Sequence, residues 1–272
     1  MEGKIPLPKL NTIVKRYNIS VGDKNMIMTI HETETSITFY CGNKTIYCID
    51  IQLLKKANGQ LYDTGNLTKI RWDRVCSLND DFRKGTDSIM LLKLLIQYIH
   101  DNYSTVVTLR FTDFSTKQCD DGSSINLAAL KYLTVGKTWY EEHFGASVDE
   151  DSIIFYRELE RKIQKKKTDT PWEQLKTVIP VNKLGIPIEE LESLYNQSNS
   201  WQDFFNTILT KLGKQELCIK FSPWFNNFIS GYLRMSYISL SYCLPVSNIG
   251  IEYKISEYKN GGRRRRVTRR NE

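Results

Sequence analysis

The stretch from residue 68 to residue 111 constrains the fold more than any other part of the sequence. Its middle, residues 89–100 (IMLLKLLIQYIH), is apolar nearly all round, as a helix buried against a sheet is. Residues 68–77 and 106–111 on either side have the apolar and β-branched composition of strands. Two strands joined by a crossover helix pair in parallel. The sequence therefore predicts one βαβ unit with the helix packed on both strands.

Strand-like segments also precede this unit. Residues 1–22, punctuated by prolines, show little periodicity and predict an irregular lead-in. Asn58-Gly59 is a strong signal for a tight hairpin turn. Antiparallel strands before a βαβ unit indicate an α+β fold with a mixed central sheet. The segments predicted as these strands are residues 26–31, 36–40, 45–54 and 60–62.

Helical patterns dominate after residue 149. Bulky apolar residues recur at helical spacing from Trp201 to Leu212, with Ser200 as the predicted cap and Gly213 as the predicted end. The other helical segments are residues 151–167, a short turn at 172–178, a helix that starts at Pro187, and 223–233, and the closing strands are 237–244 and 249–255. The predicted domains are a mixed-sheet domain (1–148), a helical extension with closing strands (149–258) and a disordered basic tail (259–272).

The turn that opens the buried helix is suited to anion binding. A helix that starts on a glycine-containing turn presents free backbone N–H groups and a positive dipole end. Arg83 and Lys84 add two cations just before Gly85. The turn therefore predicts a phosphate or pyrophosphate site, and the alternative is a surface turn in which Thr86 caps the helix.

The order of these features resembles the GNAT N-acetyltransferase superfamily over about 80 residues, from Thr68 to Ala146. In that family the turn binds the pyrophosphate of acetyl-CoA, and a later helix carries an asparagine and a tyrosine near a Gly-Phe pair. The resemblance implies acetyl-CoA as cofactor and an unidentified acyl acceptor. Asp87 stands where the family has a second glycine, so a non-catalytic interaction protein on the same fold is the alternative. The residues that the resemblance assigns to the cofactor are Arg83, Lys84, Gly85, Thr86, Ser88 and Asn126.

The resemblance also implies a catalytic group around residue 140. In the family, a tyrosine at the place of Tyr140 protonates the departing CoA thiolate. Its ordinary pKa of about 10 keeps a phenol protonated and able to donate. Glu141, Glu142 and His143 are candidate bases for the acceptor amine. The alternative is an aromatic wedge that only closes the core.

A polar loop that contains Asp113 and Ser115 follows the second strand of the βαβ unit. The C-terminal ends of such strands are where α/β sheets bind ligands. A nucleophilic pairing of Cys119 with His143 is a further open alternative. The tripeptide Asp63-Thr64-Gly65 occurs in aspartic proteases, but a second copy is absent from the sequence, so a turn is predicted there.

The six cysteines are scattered without a CxxC motif, which favours free thiols in a reducing cytosol over a disulfide framework or a zinc site. The sequence also lacks an apolar signal segment and a long apolar run, so no membrane association is predicted. A cytoplasmic location is therefore expected.

The net charge of +7 is concentrated at the C-terminus. Residues 263–272 contribute +5, and the other 262 residues contribute +2. Such a tail binds nucleic acid or another polyanion through phosphates, with a localisation signal or a solubilising tail as alternatives. It resembles the endings of many proteins of nucleocytoplasmic large DNA viruses, which implies the host cytoplasm or the virion. The predicted nucleic-acid contacts are Arg263, Arg264, Arg265, Arg266, Arg269 and Arg270.

Overall fold

The computed structural model describes residues 11–22, 24–42, 47–70, 86–119, 122–164, 170–178, 184–232 and 240–258. The protein is α+β, as predicted. Its chain divides into two compact units, one made of residues 1–109 and 246–272 and the other of residues 110–245. The domain limits inferred from the sequence stay a prediction.

Antiparallel strands form most of the first unit. Side by side they follow the order β11-β1-β2-β3-β4-β5, and each neighbouring pair is antiparallel. The hairpin from β2 to β3 and the Asn58-Gly59 turn from β4 to β5 are confirmed, with Gly59 at φ +81°. The strands are β1 (Ile13–Val21), β2 (Lys24–Glu32), β3 (Ser36–Gly42), β4 (Tyr47–Lys55), β5 (Leu61–Ile70) and β11 (Lys254–Glu257).

The predicted βαβ unit is present as β5, helix α1 (Thr86–Asn102) and β6 (Thr108–Thr112). The Val107 N–H donates to the Asp63 carbonyl at 2.8 Å, and Leu109 lies against Gly65, so the two strands run in parallel and the sheet is mixed. Helix α1 packs on the sheet through Tyr98, whose ring centroid is 6.1 Å from that of Phe39. The first strand begins at Leu61, earlier than predicted, and residues 71–77 of that prediction lie outside the described residues.

Two sequence predictions in the first unit are wrong. Residues 1–22 were expected to be irregular, yet β1 pairs along its whole length with β2. The turn predicted at Asp63-Thr64-Gly65 lies inside β5 instead. A Cβ atom at Gly65 would lie 2.6 Å from Leu53 Cδ2 and 2.9 Å from Leu109 Cδ2, so a larger residue would require these leucine side chains to move. Close packing within the sheet, rather than a turn, accounts for this glycine.

The second unit contains the rest of β6 and an α-rich region. Strand β10 lies beside β6 and pairs antiparallel with β9. Strands β7 and β8 form a separate hairpin. The elements are β7 (Thr116–Gln118), β8 (Ser124–Asn126), α2 (Leu127–Val135), α3 (Trp139–Phe144), β9 (Ser147–Val148), α4 (Ile153–Gln164), α5 (Trp172–Val178), α6 (Ile188–Gln197), α7 (Trp201–Glu216), α8 (Ser222–Asn227) and β10 (Ser241–Pro245).

An aromatic cluster forms the helical core of the second unit. Ser200 caps α7 as predicted, because its hydroxyl accepts from the Asp203 N–H at 3.1 Å. The predicted end at Gly213 is wrong, since α7 continues to Glu216 and passes into π-helical turns on both sides of α8. The fully buried members of the aromatic cluster are Trp201, Phe204, Phe205, Phe221, Trp224, Phe225 and Phe228.

A disulfide joins Cys119 to Cys218 across a sequence separation of 99 residues. Cys48 is disulfide-bonded as well, whereas Cys41 and Cys243 are free. The expectation of free thiols is therefore wrong, among the cysteines that the structure describes, for Cys48, Cys119 and Cys218. Folding brings together residues whose spacing in the sequence gives no sign of the contact. While this bond is intact Cys119 has no thiolate, so the disulfide does not support the alternative of Cys119 as a nucleophile. Disulfides persist mainly in oxidising compartments, so these bonds lend no support to the expected cytoplasmic location.

Candidate active site

The short helix α3 holds the three residues predicted to be catalytic. It begins with a capping box in which the Glu141 N–H donates to the Thr138 hydroxyl at 3.5 Å and the Thr138 N–H donates to Glu141 Oε2 at 2.6 Å. It ends at Gly145, whose φ of +63° favours glycine. This frame turns Tyr140 into the interior of the second unit.

Tyr140 lies among aromatic side chains from three elements. Its ring centroid is 4.3 Å from that of Phe111 on β6, 6.5 Å from that of Tyr242 on β10 and 4.9 Å from that of Trp139. Burial raises the pKa of Tyr140 far above its usual value, and the carboxylate of Asp113 raises it further. The phenol therefore stays protonated throughout the physiological pH range.

The raised pKa decides how Tyr140 can assist a leaving thiolate. A thiol has an ordinary pKa of about 8.5, well below that of a phenol at about 10. Full proton transfer from Tyr140 to a thiolate is consequently uphill, and burial makes it more so. Donation of a hydrogen bond to the developing charge does not require transfer, so it is the assistance that this hydroxyl can supply.

Asp113 follows β6 directly and is only 4% exposed. Its N–H donates to the Leu240 carbonyl at 3.1 Å, and its Oδ1 accepts from the Ser115 N–H at 2.9 Å. Burial raises the pKa of this carboxyl, and the hydrogen bonds from Ser115 oppose that rise only in part. A carboxyl with these properties at the end of a sheet strand is a candidate for proton transfer.

The Tyr242 hydroxyl completes this group of polar side chains. Tyr242 is fully buried, and its oxygen makes no hydrogen bond of normal geometry within the described residues. Burial raises its pKa; the nearby Thr138 hydroxyl opposes this rise, while Glu141 and Asp113 reinforce it. A buried hydroxyl without a partner costs about 1–3 kcal/mol, so a polar ligand that satisfied it would gain that amount.

The two other predicted catalytic residues have different surroundings. The second carboxylate oxygen of Glu141 accepts from the Tyr156 hydroxyl at 2.9 Å, so both of its oxygens are engaged. His143 is partly exposed and packs edge-on to Trp139, with ring centroids 5.4 Å apart. Glu142 forms an ion pair with Lys131 at 2.8 Å, and this partner lowers the pKa of its carboxyl. The role of Glu141 and His143 as bases stays a prediction.

The predicted cofactor residues are distributed over both units. Arg83, Lys84 and Gly85 lie outside the described residues, and Thr86 is the first residue of α1. Ser88 and Asp87 are buried in the first turn of that helix. In the second unit Asn126 caps α2, because its Oδ1 accepts from the Ala129 N–H at 2.8 Å. The arginines predicted to bind nucleic acid also lie outside the described residues: Arg263, Arg264, Arg265, Arg266, Arg269 and Arg270.

Tyr242 is the site residue that sequence reasoning missed. Its segment has the alternation of a closing strand, and only the pairing of β6 with β10 places it beside Phe111, at 5.4 Å between ring centroids. The sequence predicted the position of Asp113 directly after a strand, but it did not predict that this side chain is buried. Both residues become significant because separate elements meet around Tyr140.

Comparisons with known proteins gave no relatives. A scan of protein-family models, a search of curated proteins and a search of solved structures each found no match for this chain. Within the described ranges, no cluster of His, Cys, Asp or Glu side chains is arranged to hold a metal ion. Among the helices described, none has both the length and the apolar character needed to cross a bilayer. The geometry around Tyr140 is therefore the basis for a functional proposal.

Proposed function

We propose that this protein is an acetyl-CoA-dependent N-acetyltransferase of the GNAT type. The observation that carries the proposal is the position of Tyr140, which is buried with Asp113 and Tyr242 beside the end of β6. The mixed sheet and the parallel β5–α1–β6 unit also support it, because an arrangement of this kind is what the resemblance implies.

The described residues fit a thioester better than they fit a pyrophosphate. Tyr140 is a protonated donor, and the Tyr242 hydroxyl makes no hydrogen bond of normal geometry within the described residues, which suits a carbonyl or sulfur acceptor. The first turn of α1 carries the buried Asp87, whose carboxylate would oppose a phosphate group. The resemblance assigns phosphate binding to the residues before and within that turn: Arg83, Lys84, Gly85, Thr86 and Ser88.

The chemistry requires only a few contributions from this chain. Bound acetyl-CoA would supply the activated acetyl group. Tyr140 donates a hydrogen bond toward the sulfur as negative charge develops there, in surroundings that exclude water and so strengthen the bond. By resemblance Asn126 also contacts the cofactor, in addition to its capping of α2.

Replacement of Tyr140 by phenylalanine tests the proposal. Tyr140→Phe keeps the ring contacts with Phe111 and removes the hydroxyl, so kcat should fall about 100-fold or more while acetyl-CoA still binds. The matched control is Tyr195→Phe, another buried tyrosine of the second unit, whose hydroxyl donates to the Thr170 carbonyl. An unchanged kcat in Tyr140→Phe, or no acetyl transfer by the wild type to any of a panel of amines, would contradict the proposal.

A second candidate function is favoured by the distribution of charge. The tail supplies +5 of the net +7, whereas the remaining 262 residues are close to neutral. On this proposal the protein is a non-catalytic viral structural or interaction protein, in the host cytoplasm or the virion, whose tail binds nucleic acid through phosphates. Asp87 supports it, since a carboxylate at the start of α1 weakens anion binding there. Salt-dependent binding to a DNA oligonucleotide that disappears when residues 261–272 are deleted would support it.

A further inference from the structure

We propose that the Cys119–Cys218 disulfide is a redox switch. Its reduction by a dithiol releases the hairpin formed by β7 and β8, while the helical core of the second unit stays folded. Both cysteines and both strands belong to that unit. The switch goes beyond the proposed acetyltransferase function and does not depend on it.

The hairpin that the disulfide holds is a marginal element. Strands β7 and β8 form a two-stranded sheet of their own and are paired at three positions. All the residues of β7 are exposed. A hairpin of two strands is marginally stable at best in water. The order of this hairpin therefore depends on what attaches it to the helices of the unit.

The two strands of the hairpin are attached in different ways. On the β8 side, the Ser222 hydroxyl and the Asn226 Nδ2 donate to the Ser124 carbonyl at 3.1 Å and 2.9 Å, and Ile125 is fully buried. On the β7 side, Cys119 directly follows the strand and supplies the covalent attachment. A chain of exposed residues gains little from burial. Strand β7 consequently depends on the disulfide more than β8 does.

The exposure of the two cysteines shows where a reductant can attack. Cys119 is buried, whereas Cys218 is only half-buried. Cys218 lies in the π-helical turn Leu217–Phe221, which precedes α8. Single π-helical turns occur frequently at functional sites. Because thiol–disulfide exchange requires access to one sulfur, Cys218 is the point of attack and Cys119 is the leaving group.

The exchange requires a dithiol as the reductant. One thiolate of the dithiol forms a bond to the Cys218 sulfur, and the Cys119 sulfur leaves with the electron pair and takes a proton from water. The second thiolate attacks its partner sulfur in the mixed disulfide and releases Cys218, which is protonated in the same way. The protein disulfide becomes two thiols, and the dithiol is oxidised to a cyclic disulfide.

The base of the hairpin adjoins the candidate active site. Where the two strands meet, the Leu127 N–H donates to the Ser115 carbonyl at 2.9 Å. The Ser115 N–H in turn donates to Asp113. Asn126, the last residue of β8, caps α2. Opening of the hairpin therefore loosens the supports of Asp113 and of the first turn of α2, and the oxidised form is the one that fixes them.

Hydrogen exchange of the oxidised and the reduced wild-type chain tests the switch. Dithiothreitol is the reductant, used without denaturant, and alkylation followed by mass spectrometry reports whether Cys119 and Cys218 are reduced. Peptides that cover residues 115–127 report on the hairpin, and tryptophan emission reports whether the unit stays folded. The matched variant is Cys119→Ser/Cys218→Ser. It keeps the disulfide of Cys48 and so separates the effect of this bond from other effects of the reductant.

We expect dithiothreitol to reduce the bond in the folded protein. Amide exchange in residues 115–127 should then rise about tenfold or more, because the hairpin opens locally. Trypsin cleavage after the exposed Lys117 should rise in parallel, since cleavage follows the population of the open form. The double serine variant should show the fast exchange without reductant, and dithiothreitol should not change it further. Tryptophan emission should stay native in both.

Three results would overturn the inference. The bond could resist dithiothreitol until denaturant is added, which would make it a permanent structural link. Exchange in residues 115–127 could stay unchanged after reduction, which would show that the hairpin does not depend on the bond. Native tryptophan emission could be lost on reduction, which would show that the bond holds the whole unit. None of these readouts involves acetyl transfer, so a failure of the switch is distinct from a failure of the proposed function.

Discussion

Removal of the Cys119–Cys218 disulfide should destabilise the second unit more than most single substitutions. The bond closes a loop with a sequence separation of 99 residues. Loss of chain entropy in the unfolded state gives a stabilisation of about 4.7 kcal/mol for a loop of about 100 residues, and measured values of about 2–5 kcal/mol are typical. Cys119→Ser/Cys218→Ser should accordingly lower the free energy of unfolding by about 3–5 kcal/mol. The midpoint of thermal unfolding should fall by about 10–15 °C.

Tryptophan fluorescence is the appropriate assay for this prediction. Four of the five tryptophans (Trp139, Trp172, Trp201 and Trp224) lie in the second unit, so their emission reports mainly on that unit. The matched control is Cys243→Ser, which replaces a free cysteine and should leave the midpoint nearly unchanged. A non-reduced digest should contain peptides that link Cys119 to Cys218. Equal midpoints for the double serine variant and the wild type, or the absence of the linked peptide, would refute the reasoning.

Three further predictions concern the tail, the start of α1 and the helical core. Deletion of residues 261–272 should remove most of any salt dependence of DNA binding and should leave the melting temperature unchanged. For each phosphate contact, the slope of log affinity against log salt concentration is about −0.9 on duplex DNA and about −0.7 on single strands. A slope that is retained after the deletion would place the binding site on the folded units. Asp87→Asn should tighten acetyl-CoA binding about two- to fivefold in calorimetry, because it removes a negative charge from a helix N-terminus. Unchanged or weaker binding would show that this turn does not face the phosphates. Phe205→Ala should cost about 3–5 kcal/mol in urea unfolding, since Phe205 is fully buried among aromatic rings, whereas the exposed Phe155→Ala serves as the control with little effect.

Periodicity predicted the elements in which burial follows a regular pattern. Helix α1 is buried on nearly every side, and the apolar run in its sequence predicted both that a helix forms there and where it lies. Strand β1 was missed because it lacks such a pattern. Ile13 and Val14 are adjacent and both exposed, so no apolar face alternates with a polar one, and the strand is held by pairing with β2 and β11. Backbone pairing of this kind leaves little trace in the sequence.

The candidate site was only partly predictable for a related reason. Tyr140 was singled out by resemblance, and the structure describes its surroundings in detail. Asp113 lay in a polar loop, and its burial becomes visible only when the surrounding elements of the second unit are placed around it. The Cys119–Cys218 bond likewise depends on a long-range contact. A stretch of sequence predicts the local secondary structure. The pKa shifts and the disulfides depend instead on contacts between elements that are distant in the sequence.

Calorimetric titration of the 272-residue chain with acetyl-CoA tests the central claim most directly. We expect saturable binding with one site per chain, retained in Tyr140→Phe, because the proposed role of that hydroxyl is confined to the departing sulfur. Binding should be accompanied by slow acetyl transfer when a primary amine is added to the wild type. The complete absence of binding at millimolar acetyl-CoA would contradict the account and remove the enzyme proposal.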